Sequence, residues 1–161
     1  MARYHTTIQS ATAIAVDTAF FFLMCPAGGG YNLKRVEAEL VTVGSAAAPP
    51  DQNGVLGISL ATAAGVGAAS ITGTVGKNNA NYPTDLTIAA TSFATTAPTF
   101  GASAADPWQP GTSSRGGIFD NWEQPDEWQV SAGVTNGLVF VNRQNALTTP
   151  LAWKLHVEWE V

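Results

Sequence analysis

The last eleven residues of the chain alternate without a break. Leu151, Trp153, Leu155, Val157, Trp159 and Val161 occupy one parity, and Ala152, Lys154, His156, Glu158 and Glu160 the other. A period of two over a full strand length predicts a half-buried β-strand with one dry and one wet face. Such a strand is expected to close a β-sandwich and belong to its core, so its removal should be costly. Residues 33–43 repeat the pattern: Val36, Ala38 and Leu40 face one way, and Arg35, Glu37 and Glu39 the other. Lys154, Glu158 and Arg143 are the cross-strand candidates for those charges, and the pattern does not choose among them.

The same reading predicts strands over 4–8, 13–23, 55–61, 71–75, 86–93, 117–122, 127–131 and 138–142. Gly, Pro, Asn and Ser clusters separate them, as in Gly28-Gly29-Gly30, Pro49-Pro50, Asn53-Gly54 and Asn136-Gly137. No stretch keeps a 3.6-residue apolar period free of Gly and Pro, so no helix is expected. The expected fold is all-β, a single jelly roll or β-sandwich of about eight to ten antiparallel strands. One domain covers 1–161, with 1–10 as an N-terminal strand or arm and 95–114 as a long exposed loop. No repeat of fixed period points to a propeller or solenoid.

Composition changes this picture in two ways. Only 12% of the residues are charged, well under the common share, while 45% are hydrophobic and 16 are Gly. A weakly charged, small-residue surface is inexpensive to desolvate and suits packing against other subunits. The formal net charge is -5, and only Lys34 and Arg35 are adjacent basic residues. Nucleic-acid binding needs a basic patch to displace counterions, so no direct nucleic-acid contact is expected. Cys25 is the single cysteine, which excludes an internal disulfide and a cysteine-based zinc site. The apolar run 19–25 is too short to span a bilayer. Bulky residues precede Cys25 where a cleavage site needs small ones, so the run reads as a buried strand and no membrane contact is expected.

Motifs that carry chemistry fail on their surroundings. Gly65-Val66-Gly67-Ala68-Ala69-Ser70 approaches a dinucleotide fingerprint, with Asp85 at a suggestive distance. The segment after it cannot form the helix whose N-terminus would hold a pyrophosphate. Gly76-Lys77 lacks the rest of a phosphate loop, since Ile71 and Asn78 stand where Gly and Ser or Thr are needed. His5 and His156 are the only histidines, and His156 falls on a polar strand face with no evident nucleophile. No cofactor is expected, and the chain reads as a non-enzyme. Asp120, Glu123, Asp126 and Glu127 form one acidic cluster, interleaved with Trp122 and Trp128. They are the weak candidates for a hard cation such as Ca²⁺ or for a sugar-binding cleft. The plainer reading is a strand corner with solvated acids. Because Trp dominates contact energetics, the corner is also the first candidate contact surface.

Several segments together resemble a known kind of protein. The chain opens Met-Ala-Arg-Tyr-His-Thr-Thr, and Lys34-Arg35-Val36-Glu37-Ala38-Glu39-Leu40 follows a Gly/Pro turn. Phe119-Asp120-Asn121-Trp122 leads to Gln124-Pro125-Asp126-Glu127-Trp128, and Gly137-Leu138-Val139-Phe140-Val141 precedes the final alternating strand. This order resembles the small single jelly-roll virion structural proteins of tailed bacteriophages, of the capsid-decorating or minor-capsid kind. The loops at 63–70 and 95–114 are longer and poorer in charge than that pattern.

The resemblance implies a non-enzymatic subunit made in the host cytoplasm and placed on the capsid surface of the virion. It would bind the major capsid protein lattice as a homo-oligomer, a trimer at a local three-fold. No functional residue carries over. Expected contact residues are Trp108, Trp122 and Trp128, the 95–114 loop, and Tyr4 and Ile8 of the N-terminal strand. Removal of residues 1–8 is then expected to weaken particle binding more than folding. Two alternatives stand beside this: a receptor- or glycan-binding module of a tail fibre or lectin, and a main capsid protein.

Overall fold

The computed structural model describes residues 1–25, 29–44, 51–67, 69–70, 74–84, 87–122, 128–133 and 135–161. Among these, fourteen strands and one short 3-10 turn, Ser103–Ala105, make up the regular structure. The strands are β1 (Arg3–Gln9), β2 (Thr18–Met24), β3 (Tyr31–Thr42), β4 (Asn53–Ala63), β5 (Ala69–Ser70), β6 (Gly76–Lys77) and β7 (Ile88–Ala90). They continue as β8 (Ser92–Phe93), β9 (Thr99–Phe100), β10 (Gly111–Ser113), β11 (Gly117–Asn121), β12 (Trp128–Val130), β13 (Gly137–Gln144) and β14 (Leu151–Glu160).

Two antiparallel sheets pack face to face. Sheet A runs β11-β3-β14-β1-β6, with β12 also on β3. Sheet B runs β10-β4-β13-β2-β7, with β9 also on β4. Read side by side, the two orders match sequence neighbours: β11 with β10, β3 with β4, β14 with β13, β1 with β2. The chain therefore crosses between sheets at each of these steps, which is the winding of a jelly roll.

Sheet A is built on β14, which lies between β3 and β1 over nearly its whole length. Trp153 pairs with Leu40, Leu155 with Ala38 and with Ile8, Val157 with Val36, and Trp159 with Leu33 and with Tyr4. All of these side chains are buried in one core with Phe21, Leu23, Leu56, Ile58, Leu138 and Phe140 of sheet B. The alternation is interrupted once, by a bulge opposite Glu158 and Trp159 that inserts Lys34 into β3. The bulge places Lys34 on the same outer face as Arg35 rather than in the core with Val36, and there its ammonium sits 3.0 Å from Glu160.

Asn142 is fully buried and joins three elements. Its Oδ1 accepts the Trp153 indole N–H at 3.1 Å, while Nδ2 donates to the carbonyls of Ala15 (3.1 Å) and Asn145 (3.0 Å). A buried amide used on both ends fixes the turn before β2 and the turn after β13 to the core.

Three sequence-based boundaries change, and one alternative is decided. The strand expected over 13–23 begins only at Thr18, because Ala13 and Asp17 adopt positive φ and bend the chain, leaving Val16 exposed. The stretch expected over 86–93 divides into β7 and β8. The exposed loop expected over 95–114 instead contains β9, the 3-10 turn and β10, and its Trp108 forms a bridge to Ile58. Finally, of the strand or arm expected over 1–10, the structure shows the strand. β1 pairs with β14 over seven residues, and Tyr4, Thr6 and Ile8 are buried.

Trp153→Ala should cost about 3–5 kcal/mol, the range for a fully buried Trp. It also leaves the Asn142 carbonyl without its donor. Removal of residues 1–9 should abolish cooperative unfolding altogether, since Trp159 and Leu155 lose their cover. Urea titration followed by circular dichroism measures both.

Candidate functional site

The expected aromatic corner assembles. Trp108 lies beside β4, Trp122 follows β11, and Trp128 opens β12. The Trp108 and Trp122 rings meet edge-on at 5.6 Å between centroids, and Trp122 and Trp128 lie 5.2 Å apart. The Trp108 indole donates to Asp120 Oδ2 at 2.7 Å, and Trp122 N–H donates to the Lys34 carbonyl at 2.8 Å. All three rings are half-buried and pack on the main core. Their placement closes the sandwich edge between β3 and β4, so much of their apolar surface is already spent within the fold.

Asp120 holds the Trp108 indole in place. Glu123, Asp126 and Glu127, its partners in the acidic cluster, lie outside the described residues. Among the described residues, no group of three or more His, Cys, Asp or Glu side chains is placed to hold a metal ion. Tyr4 and Ile8 need correction as contact residues. Their side chains point into the core at 1% and 2% exposure, because β1 lies inside the sandwich rather than on it. The outward side of β1 presents Arg3, His5, Thr7 and Gln9.

The two sheets treat their outer faces differently. β13 is buried on both faces from Gly137 to Arg143, a pattern normal for strands covered on both sides. Phe22, Met24, Val139 and Val141 form a second apolar cluster, against which Phe93 and Phe100 pack from the crossing segment. Arg143 pins that segment. Its Nε donates to Asp106 Oδ2 at 2.6 Å, Nη2 to Asp106 Oδ1 at 2.7 Å and to the Gly101 carbonyl at 2.8 Å, and Nη1 to Asp17 at 3.0 Å. Its guanidinium also lies 5.2 Å from the Phe100 ring centre. Asp106 is fully buried there, and its hydrogen bonds raise the Arg143 pKa above the ordinary value. Gly57 lies beneath this fork, where an added Cβ would overlap the Asp106 carboxylate and the Arg143 side chain. Sequence reading missed the pairing. Its one signal was a lone Arg ending an apolar strand, and nothing in the Ala-rich stretch marked Asp106 as the partner.

The outer face of sheet A is open and polar. Lys154 pairs with Glu39 at 2.8 Å, and Arg35 with Glu37 and, at 3.6 Å, with Glu158. This settles the choice left open above: Lys154 and Glu158 take the β3 charges, and Arg143 belongs to the other sheet. The Glu39 hydrogen bond raises the Lys154 pKa.

Thr7 Oγ1 lies 2.8 Å from His156 Nδ1, and His156 Nε2 lies 3.2 Å from Glu158. A hydroxyl, an imidazole and a carboxylate in line match the hydrogen-bond order of a nucleophile relay. The arrangement sits mid-sheet, where the backbone N–H groups of β14 bond to β1 and β3. Among the described residues the backbone amides beside it are engaged in those ladders, and the group forms a cross-strand polar ladder. The His5 ring packs 5.8 Å from His156, and its Nδ1 lies 2.6 Å from Asn78 Oδ1.

The other motifs resolve as strands. Gly76-Lys77 is β6, paired to Tyr4 and His5. Val66 bridges to Thr96, and Ala69-Ser70 pairs with β8. Cys25 is buried, and its thiol lies 3.4 Å from the Ser131 carbonyl. Burial pushes its pKa from 9.0 to about 11, which suppresses the thiolate. Burial likewise raises Tyr31, whose hydroxyl donates to the Leu23 carbonyl at 2.6 Å.

Arg143→Ala strands the buried Asp106 carboxylate and should cost about 3–5 kcal/mol. Asp17→Ala should cost under about 1 kcal/mol, since that carboxylate is 60% exposed. The double change Arg143→Met, Asp106→Leu should recover most of the loss. Urea unfolding of the three variants measures this. In alkali, the unfolded Cys25 thiol ionises near its ordinary pKa of 9.0 and the folded one only near 11. Stability linked to the thiol is therefore complete below the lower value and is lost as pH rises through the upper, by about 3 kcal/mol. Cys25→Ala should flatten that part of the alkaline limb in a series of unfolding curves.

The sequence matches no known protein family, and neither a curated protein nor a solved structure resembles it.

Proposed function

We propose that this chain is a non-enzymatic virion structural protein, a capsid-decorating or capsid-stabilising subunit that binds the assembled shell as a homo-oligomer. The observation that carries the reading is the unequal finish of the two outer faces. One sheet is sealed by the chain's own crossing segment and pinned by a buried ion pair, which makes a stiff scaffold. The other presents a broad, open surface whose charges are largely paired within it. Such a surface can lie against a protein lattice while leaving little net buried charge. The low charge of the whole chain and the absence of a basic patch favour a protein partner, the major capsid protein, over a genome.

The action follows from mass balance. A ligand that binds the assembled lattice and not its separated subunits raises the free energy needed to disassemble it. A trimer matches the local three-fold positions of a shell and brings three weak contacts together.

Two measurements test the reading. Light scattering over a range of concentrations should give a closed oligomer, a trimer, of constant mass. Purified chain added to assembled particles of the virus that encodes it should sediment with them and raise the temperature at which they release their contents. Failure to sediment with intact particles, combined with absence of the chain from purified virions, rejects the proposal.

A further inference from the structure

We infer that a concavity on the outer face of sheet A, between β11, β3 and β14, is a binding site for a neutral saccharide. The inference concerns the free protein and rests on its own observations; a lattice docked on this face would cover the concavity. The concavity has a volume of about 330 Å³ and is lined by Glu37, Glu39, Gly117, Phe119, Lys154 and His156. That is near the lower bound of the ~300–1,000 Å³ typical of small-ligand sites.

Its wall is an aromatic ring left open to solvent. Phe119 is 64% exposed, although its strand neighbour Ile118 is buried. The Arg35 guanidinium lies over one face of the ring, 5.0 Å from its centre, and holds it while most of the side chain stays open to solvent. An exposed flat apolar surface ringed by hydrogen-bonding groups suits a ligand with an apolar C–H face and a rim of hydroxyls.

Charge selects among such ligands. Glu39 is paired with Lys154, and Arg35 is shared by Glu37 and Glu158, so each base is already engaged and the group carries a slight excess of acid that disfavours an anion. An ionic ligand gains from one member of each pair and is repelled by the other. A hydroxyl both donates and accepts, so a neutral polyol can use the remaining lone pairs and N–H groups while both ion pairs stay intact. His156 adds a ring that serves either role.

Gly117 is the second independent sign. A Cβ added there would make only ordinary contacts, 3.5 Å to the Ala38 carbonyl and 4.0 Å to Glu39 Cβ, and its φ is not left-handed. Packing and backbone geometry thus do not call for glycine, and glycine within a strand costs stability. What its missing side chain leaves is the open floor of the concavity beside Phe119.

The experiment is an array of neutral and anionic oligosaccharides probed with the intact protein, followed by calorimetry on the strongest neutral binder. At least one neutral glycan should be retained. Phe119→Ala and Gly117→Val should each weaken it at least tenfold, while Val66→Ser, at an exposed position outside this face, leaves affinity unchanged. Gly117→Val is the decisive variant, because Val favours a strand and should unfold at the same temperature or higher while filling the floor. Retention of no glycan, retention of anionic glycans alone, or unchanged affinity in Gly117→Val overturns the inference.

Discussion

Everything in this molecule is referred to the pairing of β14 between β1 and β3. That strand has a strict period of two, and its neighbours on both sides bury the same parity, so a slip of one residue would exchange Trp153 and Trp159 for Lys154 and Glu160. The registry sets which side of sheet A is core and which is surface. The surface then inherits an ordered set of charges, because Glu39 must stand beside Lys154 and Glu158 beside Arg35. The polar ladder and the concavity next to Phe119 are by-products of a constraint imposed by tryptophans on the opposite face.

Sheet B solves a different problem. Its central strands carry apolar side chains on both faces, and an uncovered outer face would invite association through the sheet. The chain covers it with the segment that holds Phe93, Phe100 and Asp106, and the Arg143 fork fixes that cover in place. Two faces of one sandwich are thus finished by unlike means, one by local charge pairing and one by a long crossing segment.

The difference explains what could be read from the sequence. Period-two strands such as 33–43 and 151–161 declare themselves, because burial on one face writes an alternating pattern. The all-β class and the buried character of 19–25 follow from the same signal. Features that depend on distant partners leave no such mark. Asp106 lies in a stretch of Ala, Pro and Ser, and its importance rests on Arg143, thirty-seven positions away. Tyr4 and Ile8 were legible as strand residues but not as core, because a short strand has the same composition whether it is docked or free. Trp122 and Trp128 were legible as one corner, but not Trp108, which joins them from the segment expected to be an exposed loop. The half-burial of the three was not legible either, since it depends on how β3 and β4 meet at the sandwich edge. The Lys34 bulge is similar: one inserted residue moves to the outer face a charge that simple alternation would place in the core beside Val36.

The nesting of the strands also bears on when the protein can fold. Arg3 pairs with Glu160 and Gln9 with Lys154, so β1 leaves a ribosome well before its long partner β14. At ~5–20 residues per second, β1 waits roughly 10–30 s for β14 to be made. Through that interval Tyr4, Ile8 and the Phe20-Phe21-Phe22 run have no finished core to enter. The sandwich therefore closes in a late step of long-range pairing, once β14 is available, and its yield depends on how well the emerging chain is shielded until then.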